Sequence, residues 1–386
     1  MRHMHRTEIH RLSGLLLLLA LCLIGTHPLE AQTKSIPELK IGLGVPLSGA
    51  NAAIGAQFKI GAELAIEDIN AAGGLRGQKL TLMAGDDLSR ADQGLIIANK
   101  FSAEGVKFVI GHYNSALSIP LSQEVYDPAG IVMISPASTN PVLTERGLAN
   151  VFRLSGRDDQ QGLVAANYLL ANYQSAKIAI LHDKSTYGKG LADDLRKALN
   201  TKGQIEVLYE GITVGEKEFS PLVAKLKATG ADILFWGGLH TEAALLIKQM
   251  RDQGVTTQMM GGDGLANAEF IALAGPAAEG VMMILPPDPS RHPSGLPLLK
   301  RLEAKKISPE ANIFYAYAAV QVLKQGVEAA QSLDPTLVSK ALHSGQPFDT
   351  MIGRLAFNQK GDRKDEDFAV YIWKKGSDGK FTFTER

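Results

Sequence analysis

Short apolar runs rich in β-branched residues alternate along the chain with longer stretches in which apolar positions recur at helical spacing. Residues 40–47 predict the first strand. Residues 58–71 predict a helix carrying Ile60, Leu64, Ile66 and Ile69, stopped by Gly73-Gly74. The alternation continues through strand 79–84, helix 91–103, strand 106–110, helix 116–126 and strand 131–134. A second run begins with helix 161–172 and proceeds through strand 177–181, helix 190–200, strand 206–209, helix 221–228, strand 232–236 and helix 242–253. This is the pattern of parallel sheets covered by helices on both faces.

Residues 286–297 hold five prolines and no periodicity, which predicts a crossover between the two units. Three helical stretches follow at 298–305, 314–330 and 335–343. In the tail, 354–358 is expected to pair with 368–374 around the polar stretch 359–367. Two similar α/β units predict two doubly wound lobes facing a shared cleft, because ligands in open α/β sheets bind beyond the carboxyl ends of the strands.

The N-terminus adds a destination. Arg2, Arg6 and Arg11 precede an apolar run over 15–24 and a small-residue exit at Ala31, the layout of a cleaved secretory signal over residues 1–31. The run is about ten residues, half of what a spanning helix needs. Cys22 is the only cysteine. It follows Leu21, where a lipidation signal wants a small residue, so it is expected to be discarded with the signal. The remainder must then be stable without disulfides.

Removing the segment leaves 37 basic and 38 acidic residues. Near-neutral charge gives no electrostatic reason to expect nucleic acid or an anionic membrane as partner.

Residue chemistry points away from catalysis. His112, His182, His240, His292 and His343 show no zinc-type spacing. The segment 42–47 follows a strand, but Pro46 and Leu47 break the dinucleotide fingerprint. No Gly-x-Ser-x-Gly elbow occurs. Asp86-Asp87 sits at a strand end, where consecutive side chains point apart and acids are ordinary turn residues. No cofactor or metal is expected, and the chain is not expected to be an enzyme.

Three strand ends carry groups suited to a ligand. After strand 106–110, Ser115 and the amides of the following helix could hold a carboxylate, or Ser115 could simply cap that helix. After strand 131–134, the segment Ser135-Pro136-Ala137-Ser138-Thr139-Asn140-Pro141 is either a second anion loop or a plain turn. In the second unit Asp263 stands alone among Gly261, Gly262 and Gly264, a carboxylate able to meet an ammonium or a residue of a surface turn.

Several ordered stretches carry a resemblance. Gly61-Ala62-Glu63 comes with Asp68-Ile69-Asn70 and Gly73-Gly74, followed by Val109-Ile110-Gly111-His112 and Ser135-Pro136-Ala137-Ser138-Thr139. His182-Asp183-Lys184, Tyr187-Gly188-Lys189-Gly190, Gly237-Gly238 and Gly261-Gly262-Asp263-Gly264 follow in register. From about Leu39 to Trp373 the chain resembles the periplasmic leucine/isoleucine/valine-binding proteins of ABC transporters, of the type I periplasmic-binding fold.

The resemblance implies lobe I over 38–157 with 287–365 and lobe II over 158–286 with 366–386. It also implies that Ser115, Thr139 and the backbone of Ala137 hold an α-carboxylate, while Asp263 meets the ammonium and Tyr187 lines the cleft. The expected partners are an amino acid and the permease and ATPase of a transporter, with the chain a periplasmic monomer. The side-chain pocket departs from the family at Ile54, Tyr113 and Leu239. Branched aliphatic ligands come first, and an aromatic amino acid, a small amide, another carboxylate or a sensor role regulating another protein are the alternatives.

Overall fold

The computed structural model describes residues 37–364 and 368–386. The expected signal, with Cys22 and the exit at Ala31, lies outside the described residues.

Five strands, β1 (Glu38–Val45), β2 (Lys79–Asp86), β3 (Phe108–Gly111), β4 (Val132–Ser135) and β5 (Val151–Arg153), form a sheet in the order β2-β1-β3-β4-β5. All its pairings are parallel. Every residue of β3 and β4 is buried, as a parallel strand covered on both faces requires. The intervening helices are α1 (Ala52–Ala71), α2 (Ala91–Ala103), α3 (Ser115–Leu121) and α4 (Val142–Glu145). Beyond the end of α1, Gly73 and Gly74 adopt φ of 101° and 80°, a region that only glycine enters without steric cost.

The second sheet runs in the order β14 (Phe381–Glu385), β13 (Ala369–Lys375), β10 (Met282–Leu285), β9 (Gln258–Gly261), β8 (Ile233–Gly237), β6 (Ile178–His182), β7 (Leu208–Gly211). Its parallel strands are β6, β7, β8, β9 and β10. They alternate with α5 (Asp158–Asn172), α6 (Thr186–Thr201), α7 (Ser220–Thr229), α8 (His240–Asp252) and α9 (Ala268–Ala274). Strands β9 and β10 and helix α9 extend the second unit beyond the alternation legible in the sequence, which ends with helix 242–253.

Two short 3₁₀ turns, Pro289–Arg291 and Pro293–Gly295, occupy the proline-rich crossover. The chain then returns to the first sheet with α10 (Leu296–Ala304), α11 (Ala311–Ala330) and α12 (Pro335–Leu342). Residues of α10, α11 and α12 share one hydrophobic core with β1, β3 and β4. Helix α11 lies so close to α1 that a Cβ on Gly61 would collide with the Ile313 carbonyl.

The tail corrects an expectation. Residues 354–358 do not pair with 368–374. Arg354 belongs to β12 (Gly353–Leu355), which forms a hairpin with β11 (Phe348–Thr350). The later segment is β13 (Ala369–Lys375), antiparallel to β10 and to the last strand, β14 (Phe381–Glu385). The apolar residues Val370, Tyr371 and Trp373 are buried in the second sheet, and that burial decides their partner.

Candidate functional site

Loops at the carboxyl ends of strands from both sheets line one cleft of about 760 Å³. All eight residues singled out in the sequence, Ile54, Tyr113, Ser115, Ala137, Thr139, Tyr187, Leu239 and Asp263, line it.

On the first sheet's side, Ser115 is the first residue of α3 and is 2% exposed. The capping position is Asn114, whose side chain makes no cap bond, so Ser115 is not the helix cap. Its Oγ instead accepts from the Asn140 N–H at 3.3 Å, tying the two polar loops together. In the second loop Ser135 Oγ accepts from the Ser138 N–H (2.9 Å) and donates to the His112 carbonyl (3.1 Å).

Beneath this loop lies a fully buried cation. Arg153 donates to the carbonyls of Ser138 (3.2 Å) and Asn140 (2.9 Å) and, through Nε, to Asp362 Oδ1 (2.6 Å). The carbonyls are thus held from behind. Ser115 and Thr139 line the cleft beside them, with the Thr139 hydroxyl bonded to the Asp158 carboxyl.

On the second sheet's side, Asp263 begins a 3₁₀ turn directly after β9. Tyr187, in the first turn of α6, donates its hydroxyl to Asp263 Oδ1 at 2.8 Å and accepts from the Gly264 N–H at 3.1 Å. Gln161 Oε1 accepts from the Asp263 N–H (3.1 Å), while its Nε2 donates to Asp158 Oδ1 (3.3 Å).

Burial pushes the Asp263 carboxyl above its ordinary pKa, against the hydrogen bonds from Tyr187 and Gln161. The Asp158 carboxyl is raised further, by burial first and by the charge of Asp263 next. Asp158 Oδ2 has no hydrogen-bond partner. A part-buried carboxylate at the cleft, backed by a second, fully buried one that also meets the Thr139 hydroxyl, favours a cationic group beside Asp263.

The glycines around Asp263 make room for its neighbours. A Cβ on Gly262 would stand 2.9 Å from the Tyr187 hydroxyl and 2.9 Å from Gln161 Oε1, and one on Gly264 would lie 3.0 Å from that hydroxyl. Their smallness admits Tyr187 and Gln161, the residues that orient Asp263, so the carboxylate is braced within its turn.

The apolar lining is mixed. Ile54 is buried, and the Tyr113 ring sits 5.8 Å from that of Phe58 with its hydroxyl pKa raised by burial. Leu239 stands at the N-cap of α8.

Sequence reasoning missed Asp158, Gln161 and Arg153, and gave Asn140 no role of its own within its loop. Asp158-Asp159 reads as an ordinary acidic first turn of a helix. Only the fold turns Asp158 inward while Asp159 pairs with Arg157. Asp86 and Asp87 have separate structural duties. Asp86 Oδ1 accepts from the amides of Leu47, Ser48 and Leu88, whereas Asp87 pairs with buried His112, which also contacts the Tyr126 hydroxyl. Among the described residues no His/Cys/Asp/Glu group could hold a metal ion, and no helix is long and apolar enough to cross a membrane.

Two α/β layers around a polar-rimmed cleft define a ligand-binding protein of the two-sheet type. A family model described as periplasmic binding protein matches residues 38–380, and the chain belongs to that family. It is 49% identical over 349 residues to Leu/Ile/Val-binding protein homolog 1 of Brucella suis biovar 1, covering 90% of this chain and 94% of that one.

Among solved structures, an ABC transporter substrate-binding protein from Desulfitobacterium hafniense in complex with Leu is similar at a TM-score of 0.73 and 28% identity. That match covers 90% of this chain and 100% of the other. A leucine-binding protein from Thermotoga maritima shares the fold at a TM-score of 0.81 and 23% identity, over 90% and 97% of the two chains.

Proposed function

We propose that this chain is the periplasmic solute-binding component of an ABC transporter, closing two lobes on a branched-chain or related apolar α-amino acid and presenting it to a membrane permease and its ATPase. Lobe I is 38–157 with 287–365 and lobe II is 158–286 with 366–386. The chain works as a monomer, exported through a cleaved signal over residues 1–31.

The observation that carries the reading is the opposition of chemistry across the cleft. Ser115, Thr139 and the backbone of Ala137 grip the carboxylate from one lobe. From the other, Asp263, oriented by Tyr187, takes the ammonium beside Asp158. Ile54, Tyr113 and Leu239 shape the space for the side chain.

Charge-assisted hydrogen bonds contribute about 1.5–3 kcal/mol each. Several together outweigh the few kcal/mol that separate open and closed states of a hinge. Full pairing exists only when the lobes are shut, so ligand and closure stabilise one another. The relatives named for leucine, isoleucine and valine support the aliphatic preference. Calorimetric titration with the proteinogenic amino acids tests the reading, and a panel without any binder overturns it.

A further inference from the structure

We infer that Asn140 is a latch between the two sides of the cleft, a positioning residue that slows ligand release without touching the ligand. The inference rests on the closing clamp proposed above. Asn140 is 5% exposed, lies in the loop after β4, and is not among the residues lining the cleft.

Three of its four polar groups are committed to its own side. Its N–H donates to Ser115 Oγ (3.3 Å), its carbonyl accepts from Arg153 Nη1 (2.9 Å), and its Oδ1 accepts from the Val142 N–H (3.0 Å). These contacts fix both the backbone and the sense of the amide. The remaining group points away from the first sheet. Asn140 Nδ2 donates to the carbonyl of Thr186 at 2.8 Å, at the first residue of α6 in the second sheet's layer.

The receiving surface is shaped for this amide. One turn along α6, a Cβ on Gly190 would overlap Asn140 Nδ2. Glycine inside a helix costs stability relative to alanine, so Gly190 is a concession of local helix strength that lets the amide reach the carbonyl. Thr186 directly precedes Tyr187, the residue that orients Asp263. The latch therefore joins the loop bearing Thr139 to the turn that braces the acid. A rigid-body opening of the cleft separates Asn140 from Thr186, so the bond stabilises the shut state alone.

The purified protein, Asn140→Ala, Gly190→Ala and the double variant are compared by stopped-flow binding of L-leucine and by small-angle scattering of the ligand-free protein. Asn140→Ala is expected to speed leucine dissociation about 3- to 10-fold with little change in association, the loss of one interlobe hydrogen bond. Gly190→Ala is expected to speed it at least as much while its melting temperature stays equal or rises. In the double variant Gly190→Ala adds nothing, because the amide it would strike is gone.

Multiplying losses in the double variant, or a dissociation rate and scattering profile both unchanged in Asn140→Ala, overturn the latch. Should the native protein take up no leucine, the ligand assignment fails separately. The scattering profile then decides alone: a more open distribution in Asn140→Ala upholds the latch, and an unchanged one overturns it.

Discussion

The Tyr187 hydroxyl donates to Asp263 across 2.8 Å while accepting from the Gly264 amide, so a single phenol fixes both the acid and the turn that carries it. That bond joins α6 to the end of β9. It holds a part-buried carboxylate at the cleft without neutralising it.

The first prediction concerns that charge. Asp263→Asn keeps the size of the side chain and removes the charge proposed to meet the ligand's ammonium. Breaking a buried, hydrogen-bonded charge pair costs about 2–5 kcal/mol, which is about 30-fold or more in affinity for an α-amino acid. Calorimetry with leucine and with 4-methylpentanoate separates the causes. The amine-free analogue is expected to bind the variant no worse than it binds the native protein.

A second prediction concerns pH. Both Asp263 and Asp158 have pKa values raised by burial, so they take up protons above the ordinary carboxylate pKa of about 3.9. A protonated acid offers no charge to an ammonium. Leucine affinity is expected to fall as pH drops toward and through those raised values, before ordinary surface carboxylates titrate. Near that range binding releases protons, which titrations in buffers of different ionisation enthalpy measure directly.

The same shift has a stability consequence. A carboxyl whose folded pKa lies above its unfolded one binds protons more tightly when folded. Its ionisation therefore opposes folding at neutral pH, and the penalty disappears as pH falls through the folded value. Asp158→Asn is expected to raise the melting temperature of the ligand-free protein at pH 7 while weakening leucine binding. A loss of both would contradict a charge held for function.

Much of this was legible beforehand, for definite reasons. Strands such as β3 and β8 are continuous apolar runs, and helix 91–103 was read at its observed bounds because its apolar positions and flanking polar turns agree. The tail misled because pairing is a tertiary matter. Residues 354–358 and 368–374 are neighbours in sequence, but burial of Val370 and Trp373 against the second sheet decides the register of β13. The proposed anchors Ser115, Thr139 and Asp263 line the cleft because they follow strand ends. Asp158 and Arg153 carried no local signal, since an acid opening a helix and an arginine ending a strand are ordinary until the fold buries them.

Arg153 and Asp362 supply a fourth prediction. Burial alone would raise the Asp362 pKa, but the charge of Arg153 and the hydrogen bonds from Thr144 and Arg157 outweigh it and hold the carboxyl below its usual range. An acid with a lowered folded pKa stabilises the fold above its unfolded pKa, and that stability is lost as pH falls through the folded value. Removing one partner of such a buried pair costs about 3–5 kcal/mol. Asp362→Asn is expected to lower the melting temperature at pH 7 and to flatten its decline on acidification, followed by circular dichroism across pH.

The most direct test of the central claim is isothermal titration of the purified protein with L-leucine, L-isoleucine and L-valine beside the other proteinogenic amino acids. One-to-one binding of at least one of these three, lost or severely weakened in Asp263→Asn, is the predicted result. No uptake of any amino acid, or uptake indifferent to Asp263, would contradict it.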